Sequence, residues 1–336
     1  MGLSARWLVS FALLVLPVAV TLGILFGLQS RYEADGNTGF FGGSPDDGGP
    51  KRLDDSIIFE RNCDIAYGLG HDQRWDGQEY QLNPNQWGLQ KGQESNLCMD
   101  VLWHNNGSYS DETTTRAPKF QVTWQYPPGP QTAPVHAYPN IKVENVFPKK
   151  IGDITELNMN FKWTYALGNE NKTTSDIDET ATSDVNANVA VDFFIDSDEK
   201  TSKDSTKATM EIMVWFAAIG GAAKPVGNER ATPVHTMTVD GNDFELFVGT
   251  NSGTKQNVFS WVATKAVEKF NDDVYTLIDY VIKNPLPTGT PGPTTVAQWP
   301  KGSDYIGYMG MGTEAYNAPK NVTFYMPLYE VDVKSS

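Results

Sequence analysis

Basic residues are scarce in this chain of 336 residues. Lysine and arginine together number 26, against 41 aspartates and glutamates, and the formal net charge is -15. A protein that binds nucleic acid needs clustered basic side chains to neutralise the phosphates. The composition therefore excludes nucleic acid as an expected partner, and it fits a soluble protein that works in acidic surroundings.

Cysteine and histidine are also scarce. The chain has only four histidines: His71, His104, His136 and His235. They show no metal-ligand spacing, so we expect no metal and no other cofactor. The two cysteines are Cys63 and Cys98. In an oxidising compartment they would pair and contribute on the order of 3–4 kcal/mol to stability; the alternative is two buried free thiols.

One long apolar run, residues 7–28, follows a short basic start that ends at Arg6. The apolar core of a secretory signal takes about 7–15 residues, and a membrane-spanning helix takes about 20. Residues 1–29 are therefore either a cleaved signal peptide or a signal anchor that tethers the protein to the membrane through residues 7–28. Both interpretations predict a secreted or extracellular protein.

Three N-glycosylation sequons also favour export, although a three-residue pattern often arises by chance. They begin at Asn106, Asn171 and Asn321. Residues 30–56 are rich in glycine and aspartate, which is typical of a flexible linker that builds no core. Short alternating apolar runs begin near residue 57, so we assign residues 57–336 to one folded domain.

Glycine (30), proline (20) and aromatic residues (12%) are plentiful, as in proteins built from many short strands. Apolar and polar side chains alternate, as they do in half-buried strands, over residues 188–196, 208–219, 244–248, 258–263, 305–314 and 322–333.

One late segment has helical periodicity instead: the apolar residues of 274–281 recur at i, i+3, i+4 and i+7. We expect Asn271 or Asp272 to cap its start, and Asn284 with Pro285 to end it. Many strands with one late helix predict an all-β sandwich that carries one packed α-helix.

Glu211 stands in the middle of a strand of branched and aromatic residues. Alternation places it on the same face as Met213 and Trp215, two large apolar side chains that would make a floor for a sugar ring. An unpaired buried carboxylate costs several kcal/mol, so Glu211 needs either solvent or a function. The alternative is an ordinary solvent-facing glutamate on an outer sheet.

Two more carboxyls raise the same question. Glu314 ends a segment in which Gly310 and Gly312 share its face, and glycines in a strand allow a ligand or another backbone to approach closely. Asp192 lies on the polar side of its strand, where a carboxyl beside another carboxyl would share its proton. Taken alone, each pattern favours an exposed surface acid over a functional one.

Three segments around these carboxyls resemble glycoside hydrolase family 12. The segment EIMVWF at 211–216 resembles that family's nucleophile strand, and GTEA at 312–315 resembles the segment that carries its acid/base. The segment VAVDFF at 189–194 is similar to the strand that places an aspartate beside the nucleophile. The resemblance implies that Glu211 is the nucleophile, Glu314 the general acid/base, and Asp192 a supporting carboxyl.

Three further segments follow in the family's order. NPNQWG at 83–88 is a looser version of a segment whose tryptophan stacks on a distal sugar; VHAYPNI at 135–141 and KPVG at 224–227 also have counterparts. Cys63 and Cys98 bracket the first of these segments, as a family disulfide does. The resemblance implies a β-jelly-roll sandwich of two antiparallel sheets. Trp87, Asn85, Trp124 and Pro225, together with Met213 and Trp215, are then expected to contact sugar.

The implied function is that of a monomeric, retaining endo-β-1,4-glucanase acting on plant cell-wall β-glucan, with 57–336 as its catalytic domain. Retaining enzymes place two carboxyls about 5–5.5 Å apart, a spacing that two neighbouring strands across a groove would supply. Cellulose, xyloglucan and mixed-linkage glucan all stay open as substrates, and AAIGGA at 217–222 resembles the xyloglucan-active branch. The alternative is a non-catalytic sugar-binding protein, lectin-like or elicitor-like, that would not need both glutamates.

Overall fold

The computed structural model describes most of the proposed folded domain. The described residues are 57–63, 71–72, 78–87, 95–104, 116–130, 133–229, 232–286, 296 and 298–336. The expected signal segment, the linker and the sequon at Asn106 lie outside these ranges. Within them, no helix combines the length and the apolar character that crossing a membrane requires.

Strands dominate the described part of the chain. They are β1 (Ile57–Cys63), β2 (His71–Asp72), β3 (Tyr80–Asn83), β4 (Asn96–His104), β5 (Lys119–Tyr126), β6 (Asn140–Val143), β7 (Lys149–Lys150), β8 (Ile154–Leu167), β9 (Asn186–Asp196), β10 (Met210–Ile219), β11 (His235–Val239), β12 (Asn242–Thr250), β13 (Asn257–Ala263), β14 (Lys269–Asp273), β15 (Tyr305–Gly312) and β16 (Ala315–Ser335). The helices are α1 (Ile177–Thr182), α2 (Glu199–Ser202) and α3 (Tyr275–Lys283). All six predicted strands are confirmed, with shifted ends.

The strands form two sheets. Sheet A has the order β1-β4-β5-β16-β8-β14, and sheet B has the order β2-β3-β6-β15-β9-β10-β13-β12-β11, with the short β7 also pairing with β15. Strand β16 joins them, because its first residues pair with β9 and the rest pair with β5 and β8. The all-β sandwich is confirmed. The expectation of wholly antiparallel sheets needs one correction, since β10 and β13 run parallel.

The core lies between the two sheets. Met210, Ile212, Val214 and Phe216 of β10 point into it, as the alternation predicted, and Phe216 meets Phe161 of sheet A with ring centroids 4.6 Å apart. Each such buried side chain stabilises the fold by about 1.5–3 kcal/mol. The opposite face of β10 is thereby left for the outside of the sandwich.

The late helix is confirmed, but its predicted cap is wrong. Asn271 and Asp272 belong to β14, which pairs with β8, and the helix begins only at Tyr275. The Tyr275 amide donates to the Asp273 carboxylate at 2.9 Å, so Asp273 supports the first turn. Asn284 ends the helix as expected. Two shorter helices, α1 and α2, had no periodic signal because each is only a turn or so long.

A disulfide links β1 to β4. Cys63 and Cys98 face each other in the register of this pair, and their sulfurs are bonded. The predicted disulfide is confirmed, and the alternative of two free thiols is wrong.

Two predicted sequons fall within the described residues. The side-chain amides of Asn171 and Asn321 are partly buried and donate to Gln121 and Asn169 respectively. Glycosylation at these positions stays a prediction.

Candidate active site

A groove of about 590 Å³ runs over the outer face of sheet B. It is lined by every predicted catalytic and sugar-contacting residue except Trp124: Asn85, Trp87, Asp192, Glu211, Met213, Trp215, Pro225 and Glu314. Residues that lie far apart in the chain therefore converge on one groove.

Glu211 and Asp192 come from neighbouring strands. In the β9–β10 register Met213 lies opposite Asp192, and Glu211 lies opposite Phe194. Glu211 and Asp192 are thus diagonal neighbours on one face of the sheet, within reach of each other's side chains. Glu211 is 9% exposed and Asp192 is 4% exposed. Both carboxyls are therefore largely removed from water.

Glu314 reaches the groove from the other side of β9. It follows the end of β15, whose Gly310 lies opposite Asp192. Its backbone amide donates to Asn188 Oδ1 at 2.8 Å, Asn188 Nδ2 donates to Glu314 Oε2, and Tyr316 Oη donates to the same oxygen at 3.4 Å. The expectation of two directly neighbouring strands is wrong, because β9 with Asp192 lies between the two glutamates.

The two glycines before Glu314 have a different reason from the ligand approach that the sequence suggested. A Cβ on Gly312 would lie 2.1 Å from the carbonyl oxygen of Pro139. On Gly310 it would lie 2.9 Å from the ring of Tyr308. The close neighbours are therefore the protein's own backbone and side chains. The missing side chain at Gly312 allows β15 to pack closely against the start of β6.

The three carboxyls form a buried acidic cluster, and within the described residues none of them has an ion-pair partner. Burial raises the pKa of Glu211, and the charge of Glu314 raises it further. Burial also raises the pKa of Asp192 well above its usual value, with added repulsion from both glutamates. Such a cluster retains protons above the pH at which an exposed carboxyl would lose them.

Burial also raises the pKa of Glu314, while hydrogen bonds from Asn188 and Tyr316 lower it. Burial is therefore the leading cause of the increase. A protonated and an ionised glutamate on opposite sides of one groove are the chemical requirement for acid-assisted nucleophilic substitution.

Trp87 is the one large apolar side chain exposed among the described residues, at 43%. Its segment is fixed to the neighbouring chain, since the Trp87 amide donates to the carbonyl of His136 at 2.7 Å and the Tyr138 amide donates to that of Asn85 at 3.0 Å. An exposed aromatic face on a fixed backbone is suited to stacking on a sugar ring.

The floor of the groove is apolar. Met213, Trp215 and Tyr316 pack together there, and the indole N–H of Trp215 donates to the sulfur of Met213 at 3.4 Å. Pro225 lies on a loop that also lines the groove.

Trp124 does not belong to this groove. Its side chain is fully buried in the core, its indole N–H donates to Tyr165 Oη at 2.7 Å, and its ring stacks on Tyr126. The predicted sugar contact at Trp124 is therefore wrong. Alternation along β5 could not reveal which of its faces sheet B would cover.

Sequence reasoning also missed side chains that line the groove or hold its carboxyls: Tyr138, Asn188, Phe194, Tyr308 and Tyr316. Asn188 had a usable signal, because alternation places it on the same face as Asp192. Tyr138 lies in the VHAYPNI segment that resembles the family, but its contact could not be predicted, since its hydroxyl donates to the carbonyl of Gly310 at 2.7 Å only through the pairing of β6 with β15. Among the described residues, no group of three or more His, Cys, Asp or Glu side chains is arranged to hold a metal ion.

Curated relatives include two xyloglucan-specific enzymes. The chain is 30% identical over 48% of its length to the probable xyloglucan-specific endo-beta-1,4-glucanase A of Aspergillus clavatus, of which the match spans 57%. It is 27% identical over 74% of its length to the xyloglucan-specific endo-beta-1,4-glucanase A of Emericella nidulans, of which 83% is covered. A third relative, the inactive glycoside hydrolase XLP1 of Phytophthora nicotianae, is 29% identical over 59% of this chain and 75% of its own.

The fold also matches solved structures. The catalytic domain of Humicola grisea Cel12A aligns with 82% of this chain and 99% of its own, with a TM-score of 0.59 and 19% sequence identity. This likeness confirms the jelly-roll fold. The model of glycosyl hydrolase family 12 matches residues 78–334, which include every side chain of the groove described above. The protein is a glycoside hydrolase, and it belongs to glycosyl hydrolase family 12.

Proposed function

We propose that the protein is a retaining endo-β-1,4-glucanase with Glu211 as nucleophile and Glu314 as general acid/base. The observation that carries the proposal is the convergence of these two glutamates, from strands on either side of β9, on one sugar-sized groove. Burial raises the pKa of both glutamates, so the pair retains a proton near neutral pH; the proposal places that proton on Glu314 and the negative charge on Glu211.

In the first step a carboxylate oxygen of Glu211 attacks the anomeric carbon, and the bond from that carbon to the glycosidic oxygen breaks. The proton of Glu314 passes to the departing oxygen, which leaves as a hydroxyl of the shortened chain. In the second step Glu314 takes a proton from water while the water oxygen attacks the anomeric carbon. The ester bond to Glu211 then breaks, and the sugar keeps its β configuration.

Asp192 supports this cycle from between the two strands. Because it is the more deeply buried carboxyl beside Glu211, it retains its proton while Glu211 ionises. A neutral Asp192 limits the negative charge in the cluster during attack. It also removes a repulsion that would otherwise hinder ionisation of the nucleophile.

Plant cell-wall β-glucan is the proposed substrate, with xyloglucan first among the candidates. Two of the relatives described above are named for xyloglucan, and the AAIGGA segment favours the same branch. An open groove with an exposed Trp87 suits internal cleavage of a long chain. We propose further that the protein acts as a monomer outside the cell. The location is supported by its disulfide, since disulfides are typical of oxidising compartments.

A second candidate is a sugar-binding protein without turnover. The inactive relative from Phytophthora nicotianae favours it, since the family includes a member named as inactive. The retained pair of Glu211 and Glu314 argues against it, because binding alone requires neither glutamate.

The proposal is tested by measuring the reducing ends that the purified protein releases from xyloglucan, carboxymethyl-cellulose and mixed-linkage glucan. We expect turnover on at least one substrate, and a loss of about 10³-fold or more in both Glu211→Gln and Glu314→Gln. Glu245→Gln is the matched control, because Glu245 lies on β12 outside the groove lining. NMR of the first product should show the β-anomer. Binding of all three glucans without turnover would favour the second candidate, and an initial α-anomer would exclude retention.

A further inference from the structure

Asn188 is a fully buried amide on β9 whose side chain points toward the groove, and the reaction described above does not use it. It lies directly beside Glu314: its backbone amide donates to the Glu314 carbonyl at 3.2 Å, and its Oδ1 accepts from the Glu314 amide at 2.8 Å. Its carbonyl also accepts from the hydroxyl of Thr313. Asn188 therefore holds the short segment that carries the acid/base after β15 has ended.

The side-chain contact is asymmetric with respect to the two oxygens of the Glu314 carboxyl. Asn188 Nδ2 donates to Oε2, and the hydroxyl of Tyr316 donates to that same oxygen at 3.4 Å. Two hydrogen-bond donors stabilise negative charge on Oε2, so the proton of the neutral carboxyl is on Oε1. The two donors thus distinguish two otherwise equivalent oxygens.

We propose that Asn188 is a positioning residue that directs the catalytic proton of Glu314 to Oε1. Oε1 then gives the proton to the leaving glycosidic oxygen in the first step and receives one from water in the second. In between, the charge left on the carboxylate is held at Oε2 by the Asn188 amide. This inference rests on the proposed role of Glu314 as acid/base.

Asn188→Asp tests the inference with nearly unchanged shape. One Oδ oxygen still accepts from the Glu314 amide, but the new buried carboxyl replaces the amide donor and shares a single proton with the Glu314 carboxyl. The last proton of such a pair is lost at a higher pH than that of a lone carboxyl, so the basic limb of the kcat/KM pH profile should move up by about 1 pH unit or more. Asn188→Ala should move it in the same direction by a smaller amount.

Asn317→Asp is the matched control. It makes the same amide-to-acid change three residues beyond Glu314, but the amide of Asn317 donates to Asp184 and its oxygen accepts from Asn186. Its basic limb should stay within a few tenths of a pH unit of wild type. An equal shift in Asn188→Asp and Asn317→Asp would show a general charge effect and overturn the inference.

Leaving-group dependence gives a readout that mere destabilisation would not move. We would compare phenyl and 2,4-dinitrophenyl β-glycosides of a gluco-oligosaccharide that the wild type hydrolyses. The phenyl leaving group needs the proton and the dinitrophenyl group does not, so Asn188→Ala should lose about 10-fold in kcat/KM on the first and less than about 3-fold on the second. Equal losses on both would contradict a role through Glu314.

NMR titration of ¹³Cδ-labelled glutamate, with the Glu314 signal assigned by Glu314→Gln, separates this inference from the proposed function. It requires no turnover. A higher pKa of Glu314 in Asn188→Asp than in wild type or Asn317→Asp would support the inference even if no glucan is cleaved. An unchanged pKa of Glu314 would overturn it even if the wild type proves to be an active glucanase.

Discussion

At the scale of single residues, the buried carboxyls link catalysis to stability. Glu211 and Asp192 have little contact with water, Glu314 is half-buried, and no cation among the described residues pairs with any of the three. Repulsion and burial both oppose ionisation. Ionising these carboxyls therefore costs folding free energy, and the raised pKa values that result are what the catalytic reaction uses.

This arrangement predicts how stability depends on pH. Burial and the charge of Glu314 raise the pKa of Glu211 from 4.5 to about 8, so the folded protein holds a proton that the unfolded chain releases. Its stabilising contribution is complete below pH 4.5 and is lost as pH rises through about 8. We expect the free energy of unfolding to fall by about 1–2 kcal/mol or more over this range.

Asp192→Asn checks this pH dependence by denaturant unfolding at several pH values. The variant cannot ionise at this position and is nearly the same shape, so it should lose less stability than wild type between pH 5 and pH 8. Identical pH profiles for the two proteins would contradict the account of the buried cluster.

The two tryptophans predicted to contact sugar should behave in opposite ways. Trp87→Ala removes an exposed ring, so we expect KM on a glucan to rise about 10-fold with little change in kcat or Tm. Trp124→Phe removes a buried hydrogen bond to Tyr165 and some core volume, so stability should fall by about 1–3 kcal/mol with KM unchanged. Steady-state kinetics and thermal unfolding of both variants would decide; a raised KM in Trp124→Phe would reopen its assignment to sugar contact.

At the scale of elements, β15 is positioned by its close contact with the backbone at the start of β6. Gly312→Ala would place a methyl group 2.1 Å from the backbone oxygen of Pro139, which cannot move without disturbing β6. We expect a loss of about 2 kcal/mol or more in stability, together with reduced activity because Glu314 follows two residues later. Gly221→Ala is the control, since nothing lies within 4 Å of its added Cβ. Thermal unfolding and turnover of both variants test this, and equal behaviour would show that β15 tolerates the methyl group.

Alternation was sufficient to predict the strands and the faces of β9 and β10, because side chains in a strand must point to opposite sides. It placed Glu211, Met213 and Trp215 together, and the groove confirms this. It could not predict what lies opposite Gly312, since that depends on pairing with β6 more than a hundred residues earlier. The close neighbour of Gly312 is therefore a backbone oxygen of the protein, and the ligand approach that the sequence predicts there is wrong.

At the scale of the whole molecule, the sandwich is set by which sheet covers which face. A strand of sheet A such as β5 alternates like any other, yet its Trp124 faces the core while Trp87, in a loop segment, faces solvent. The partners of Glu314 also come from the global arrangement, because β16 leaves sheet B after Asn317 and continues in sheet A from Ala318. Local patterns predict faces of strands, and long-range register decides which faces meet.

The disulfide makes a whole-molecule prediction, because it closes a loop that contains the Trp87 segment. Cys63 and Cys98 are 35 residues apart, and a crosslink of this span stabilises a domain by about 3–4 kcal/mol through the unfolded chain. We expect the paired variant Cys63→Ser with Cys98→Ser to melt roughly 6–12 °C lower, while Glu211 and Glu314, held by sheet B, keep catalytic turnover at low temperature. Thermal unfolding with and without reductant, and mass spectrometry of unreduced protein for free thiols, test this. Free thiols or an unchanged Tm would show that the crosslink does not stabilise the protein.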